Sequence, residues 1–406
     1  MPLVILFLAS ILSSNSFATP LKEKDLAVVF DTAFENPIKA KDQLLTDKLM
    51  PERWYRKVLN GYKDSSVGNA LEFENSYSEW QLVAMRVVPC KPLVLSTKHK
   101  AESYCWPEVR LVMQPIVEKI RTRRGFIEDF ADDRAVHMLY DVNPEILNEF
   151  EAEEAANLKA KVKNYISNFE GGSFNALEGY EFNRFIELRN KLTSQLVNDT
   201  LSLRSNRIYE REYSSHGLRP ELQYAQTEDL FRSKMIKFLS KYNRSKNLKA
   251  FTSFSLPEGR RPAGLDEWIF LSFAPSYDNN IKLVNVPIYS IEDGSKLIEI
   301  SHTTRGTMRR DSEAFYEINL DSDEFSQLTK QVFIFNDRSY QEAVNNILDP
   351  HKVTPDNTSC ASCHRLNRPV FNFHNFSKLS TDNVNISDRV INDVDYDIEW
   401  LNKHFN

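Results

Sequence analysis

The chain has 406 residues, with 51 Lys and Arg against 57 Asp and Glu (net charge −6), 41% hydrophobic and 12% aromatic residues, 11 glycines and 17 prolines. That balance builds one large or two ordinary globular domains, and the sparse glycine and proline exclude collagen-like and disordered chains. The acidic net charge argues against nucleic-acid binding, whose electrostatic footprint is a basic excess.

Residues 1–18, MPLVILFLASILSSNSFA, carry no charged side chain. Their apolar run from Leu3 to Leu12 is too short to span a bilayer and reads as the core of a signal peptide. Small residues at Ser16 and Ala18 predict cleavage after Ala18, although no Lys or Arg precedes the run. The alternative is an uncleaved anchor or a buried strand. No later stretch holds 18 consecutive apolar residues, so no transmembrane segment is expected after leader removal, and the mature chain is expected to be periplasmic or secreted.

Two strand-like runs, Trp80 to Val88 and Val109 to Ile116, flank a polar loop bracketed by Cys90 and Cys105. In an oxidising compartment these two cysteines are expected to pair as a structural disulfide, worth about 3 kcal/mol by loop-closure entropy. A helix is expected to start at Asn143-Pro144, with Leu147, Phe150, Leu158, Val162, Tyr165 and Phe169 near helical spacing. A second, opened by the capping-box-like Asn175 to Glu178, runs to about Arg204 and completes an αα-hairpin. The polar stretch from Arg204 to Gln223 offers a possible boundary. Thr227 to Tyr242 reads as a third helix. Strand signals follow at Ala250 to Leu256, Glu267 to Phe273, Ile281 to Ile291, Lys296 to His302 and Phe315 to Leu320, with a hairpin turn at Asp293-Gly294.

Strands, then helices, then strands argue for an α+β fold: a mixed body with an αα-hairpin and a mainly antiparallel sheet. The predicted organisation is a signal peptide over 1–18, an α+β region over 19–210, and a β-rich region over 211–406 that ends in a special segment at 354–376.

That segment contains Cys360-Ala-Ser-Cys363-His364, the spacing C-x-x-C-H. Two cysteines three apart share one face of a helical turn, so both sulfurs can reach the vinyl groups on one edge of a porphyrin, and the next residue can turn its imidazole to the iron. A thioredoxin-like pair needs more fold downstream than the 42 residues after His364 provide. A structural zinc site needs a further ligand and a second paired motif. A local disulfide beside a bystander histidine is the remaining rival.

On Cys360 to His364, with the flanks from Thr354 to Phe376, the chain resembles the c-type cytochromes. The resemblance implies one covalent haem c, thioether-bonded to Cys360 and Cys363, with iron ligated by His364 and attachment after export by a maturation system. Small c-type cytochromes usually supply a downstream methionine as sixth ligand, but the last one here is Met308, upstream. His374, set among Phe371, Phe373 and Phe376, is the first candidate for the second iron ligand; His351, a more distant His, Met308 and an open iron are the others. Phe371, Phe373 and Phe376 can cover the macrocycle, and Arg365 and Arg368 can meet its propionates. So short a C-terminal end cannot enclose a porphyrin alone, which makes docking on the preceding sheet an expectation.

The acidic run Asp393 to Glu399 lacks the spacing and turn glycine of a calcium loop and reads as a solvated edge. The short clusters Arg121 to Arg124 and Arg260-Arg261 read as solvated loops. The expected function is haem binding and electron transfer with an unidentified redox partner protein. The alternatives are a haem-dependent small-molecule sensor or peroxidase-like enzyme, and a non-haem, disulfide-bonded envelope protein.

Overall fold

A computed structural model describes residues 20–30, 36–64, 77–92, 104–117, 120–122, 125–127, 130–131, 135–167, 177, 179–205, 208–209, 218–223, 225–255, 269–283, 286–292, 296–302, 348–349 and 386–405. The leader, the boundary residues 210–217, the strand expected at Phe315 to Leu320 and the C-x-x-C-H segment lie outside these residues.

The protein is mixed α and β. Its centre is an antiparallel sheet whose main path has seven strands: β1 (Ala27–Val29), β2 (Trp80–Pro92), β3 (Cys105–Val117), β4 (Ala135–Asp141), β5 (Leu248–Ser255), β6 (Ile269–Ser276) and β7 (Asn280–Leu283). Neighbours along the chain are neighbours in the sheet, and the two-residue strand Phe130–Ala131 pairs separately with β3. Val286–Glu292 and Lys296–His302 pair with each other, so the single run expected from Ile281 to Ile291 divides between two sheets.

One register row crosses the whole sheet: Val28, Met85, Leu111, Met138, Phe251, Phe273 and Leu283 are successive cross-strand partners. Partners in register point to the same face, and this row is apolar at every step. Helix α2 (Glu52–Asp64) covers its far end, where the Trp54 ring meets Phe251 edge-on at 5.8 Å and Phe251 meets Phe273 at 5.6 Å. The β6–β7 turn is tied to the same helix, because the Asn279 carbonyl accepts from Arg53 Nη2 at 2.6 Å and Trp54 Nε1 at 3.0 Å. Asp278 and Asn279 both take positive φ there, a conformation that short polar side chains tolerate.

Between β4 and β5 the chain leaves the sheet for residues 142–247, which carry α3 (Glu149–Ser167), α4 (Gly179–Leu201) and α5 (Ala225–Tyr242). Asn143 caps only a 3-10 turn, accepting from the Glu145 amide at 3.1 Å. The α-helix starts afresh at Glu149, where Asn148 accepts from the Glu151 amide at 3.0 Å and donates to its carboxylate at 2.8 Å. The restart turns Phe150, expected on the apolar face, out to solvent at 89% exposure. Ion pairs Glu154–Arg184, Glu151–Lys191 and Lys161–Glu181 join α3 to α4 in antiparallel register.

The polar stretch beyond Arg204 is more than a solvated connection. Arg204 Nε donates to Asp25 Oδ1 at 2.8 Å, Arg219 Nε to Glu221 Oε2 at 2.9 Å, and Arg219 Nη1 to the Lys24 carbonyl at 2.8 Å, all buried. The Tyr209 ring lies 4.5 Å from the Arg204 guanidinium and 4.9 Å from that of Arg219. The knot ties the helix α1 (Glu23–Leu26), next to β1, to the far end of α4.

Phe251 is fully buried at the crossing of the apolar row with α2. Phe251→Ala is therefore expected to cost about 3–5 kcal/mol, read as a lowered urea midpoint with an unchanged slope.

Candidate functional site

Cys360, Cys363, His364 and His374, together with His351, all fall within residues 350–385, outside the described residues. Both ends of that stretch are described, and they converge on one element. Helix α6 (Asp388–Phe405) follows directly from the buried Ile386, and the Asn392 side chain donates to the Leu348 carbonyl at 2.7 Å. Asn392 lies four residues beyond Asp388, the first residue of α6, about 6 Å along the helix at 1.5 Å per residue. The described residues that flank this stretch, Leu348 and Ile386, thus both lie near the start of α6.

The acidic run Asp393 to Glu399, expected as a solvated edge, lies within helix α6. Ile391, Val394, Ile398, Leu401 and Phe405 recur at helical spacing, Asp388 stands in the first turn, and Lys403 and His404 stand in the last, as the helix dipole favours. Asp393 pairs with Arg389 at 3.1 Å. Asp397 falls on the buried stripe between Val394 and Leu401 and forms an ion pair with Arg86 of β2. Arg86 needs this partner, because its cross-strand neighbour is Arg110, and like charges directly opposite are destabilising. Arg110 takes Glu108 instead.

Beyond Asp397, the Trp400 ring packs under the Arg189 guanidinium at 5.5 Å and stacks on His404 at 4.5 Å. His404 Nδ1–H donates to the Trp400 carbonyl at 2.8 Å. Arg189 is itself nearly fully buried on α4 and reaches Cys105 Sγ at 3.3 Å. The disulfide expected between Cys90 and Cys105 is present, with Cα atoms 5.0 Å apart. Helix α6 thus rests on the sheet through Asp397 and reaches the disulfide through Trp400 and Arg189.

Neither Arg189 nor Asp397 was recognised from sequence, yet each leaves a signal: a charge inside an apolar stripe. On α4 the buried positions are Phe185, Leu188, Arg189, Leu192, Thr193, Leu196, Val197 and Thr200. A charge at such a position must meet a partner when the helix docks.

A pocket of about 560 Å³ opens where β4 ends and β5 begins. Its lysines are already engaged: Lys159 with Asp141, Lys246 with Glu145, and Lys249 with Glu108 at 3.2 Å. Each lysine of the lining thus has a carboxylate partner, with Glu108 shared between Lys249 and Arg110. Among the described residues there is no group of three or more His, Cys, Asp or Glu placed to hold a metal, and no helix long and apolar enough to cross a membrane.

Burial raises the Asp397 carboxyl from 3.8 to about 6, against the opposing pull of Arg86. A folded value above the unfolded one means that this contribution to stability is fully present below about pH 4 and is lost as pH rises through about 6. Asp397→Asn, neutral throughout, is expected to remove about 2–3 kcal/mol of pH dependence from that window, measured as urea midpoints between pH 4 and pH 7.

Compared with protein-family models, with curated proteins and with solved structures, the chain matches none.

Proposed function

We propose that this chain is an exported monohaem protein of c-type cytochrome character, periplasmic or secreted, that binds one haem covalently and passes electrons to a partner protein. The observation that carries the reading is the order Cys360-x-x-Cys363-His364. The donor set fits: Cys360 and Cys363 would supply two thiols for the two vinyl groups, each S–H able to add across a C=C bond, and His364 would supply an imidazole for the iron. The pairing of Cys90 with Cys105 supports it further, since Cys360 and Cys363 are then the cysteines left for attachment. Bound haem supplies a one-electron iron couple. In this reading the αα-hairpin of α3 and α4 and the sheet form the body, and the haem segment is appended to it next to α6. Arg365 and Arg368 would meet the propionates, and Phe371, Phe373 and Phe376 would exclude water from the macrocycle.

Attachment is tested by denaturing mass spectrometry of protein made in a host with a haem-maturation system. The expected mass exceeds that of the mature chain by one haem, and Cys363→Ser is expected to lose that haem under denaturing conditions. A wild-type mass equal to the bare chain overturns the reading and leaves the disulfide-bonded envelope protein.

His374 as second iron ligand distinguishes electron transfer from small-molecule chemistry. The ferric protein is expected to be low-spin and to turn high-spin in His374→Ala. A high-spin wild type that takes up cyanide readily points instead to the sensor or peroxidase-like alternative.

A further inference from the structure

The disulfide between Cys90 and Cys105 has a cation at its buried end. Cys105 has no exposed surface, and Arg189 Nη1 stands 3.3 Å from its sulfur. Arg189 is aimed there from several sides: Asn190 Oδ1 accepts from its Nε at 3.1 Å and its Nη2 at 2.8 Å, and the Trp400 ring lies 5.5 Å from the guanidinium. Cys90, the other half, is only half-buried. We propose that Cys90–Cys105 is a redox-exchanging disulfide, opened by dithiol reductants at Cys90, with Cys105 leaving as a thiolate held by Arg189.

A disulfide sulfur is neutral and a thiolate carries a full charge, so a guanidinium at hydrogen-bond distance favours the reduced state over the oxidised one. The same contact lowers the basicity of the leaving sulfur, which speeds exchange at its partner. The strands also keep their places without the covalent bond. Pairing of β2 with β3 continues past the bridge through Lys91 with Trp106 and Pro92 with Cys105. Thr193, one turn along α4 from Arg189, donates to the Pro89 carbonyl at 3.1 Å. The register slips by one residue between Val88 and Lys91, a bulge at Pro89-Cys90 that re-aims Cys90 towards its partner. The bond thus joins strands that hydrogen bonds already hold.

The exchange balances with a dithiol as co-reactant. Its thiolate attacks Cys90 Sγ, the Cys90–Cys105 bond breaks, and the bond's electron pair leaves on Cys105. The second thiol of the reductant then displaces Cys90 from the mixed disulfide, so that two electrons pass to the protein and the reductant closes to its own disulfide.

The inference is independent of haem at Cys360 and Cys363. It is tested on the full-length protein equilibrated in graded dithiothreitol redox buffers, quenched with acid, mass-tagged and read on the Cys90 and Cys105 peptides. Arg189→Gln is expected to make the pair at least about tenfold harder to reduce, a shift of about 30 mV, whereas Arg189→Lys, which keeps the charge, is expected to stay within about threefold of the wild type. Folding of each variant is checked by circular dichroism. A folded Arg189→Gln within about twofold of the wild type overturns the proposal. Should that variant fail to fold, the wild type decides: the pH dependence of its reduction is expected to bend, for Cys105, below the ordinary thiol value of about 8.5, and a bend at or above it overturns the proposal.

Discussion

Arg86 and Arg110 face each other across two hydrogen-bonded strands, and the architecture turns on how that like-charge pair is answered. On an open face, water would screen the two. Here α4 and α6 pack over this side of β2 and β3, so each cation must be met by an acid carried within reach. Glu108 serves Arg110 from two residues along its own strand, while Arg86 draws Asp397 from the end of the chain. The other face has no such demand: its row from Val28 to Phe273 is held by contact area alone. One face thereby supplies non-directional cohesion and the other directional pairing, and the second decides where the C-terminal helix sits.

A similar division of labour recurs at the chain's beginning. Lys24, Asp25, Arg204, Arg219 and Glu221 are all buried, and breaking one partner out of such a cluster leaves an uncompensated charge at a cost of about 3–5 kcal/mol. Burial lowers the Lys24 amine to about 8, and its ammonium nitrogen still finds the Leu218 carbonyl at 2.8 Å. The two ends of the described chain are thus each fixed by ion pairs to the middle of the molecule, one through Arg204 and the other through Arg86.

Much of the sheet was legible in the sequence because alternation and β-branched runs report burial locally. The strands around Trp80 to Val88 and Val109 to Ile116, the disulfide between them, the helix ending at Tyr242 and the Lys296 to His302 pairing all appear close to where the pattern placed them. The misreadings share one physical origin. Phe150 was assigned to an apolar face by spacing from Asn143, but the break at Leu147 reset the helical phase. The acidic run at 393–399 reads by residue type as a solvated edge and the polar run after Arg204 as a boundary, whereas Asp397, Arg219 and Glu221 are buried. Residue type reports the cost of burial and says nothing of a partner far away in sequence, such as Arg86 for Asp397. The haem attachment proposed at C-x-x-C-H rests, by contrast, on local spacing alone.

The excursion from Val142 to Asn247 bears on how the chain folds. Strands β4 and β5 are adjacent in space, with Met138 opposite Phe251, yet three helices are threaded between them. Closing so long a loop costs only slightly more free energy than closing one half its length, because the entropy grows with the logarithm of chain length. The kinetic penalty is heavier, since a pairing of such high contact order forms late. Until it forms, β4 presents an unmatched edge of backbone donors and acceptors beside Met138, a surface that invites strand addition by a neighbouring chain. The helices of the excursion are local structures that assemble sooner, so the order of events favours a helical lobe first and a completed sheet last.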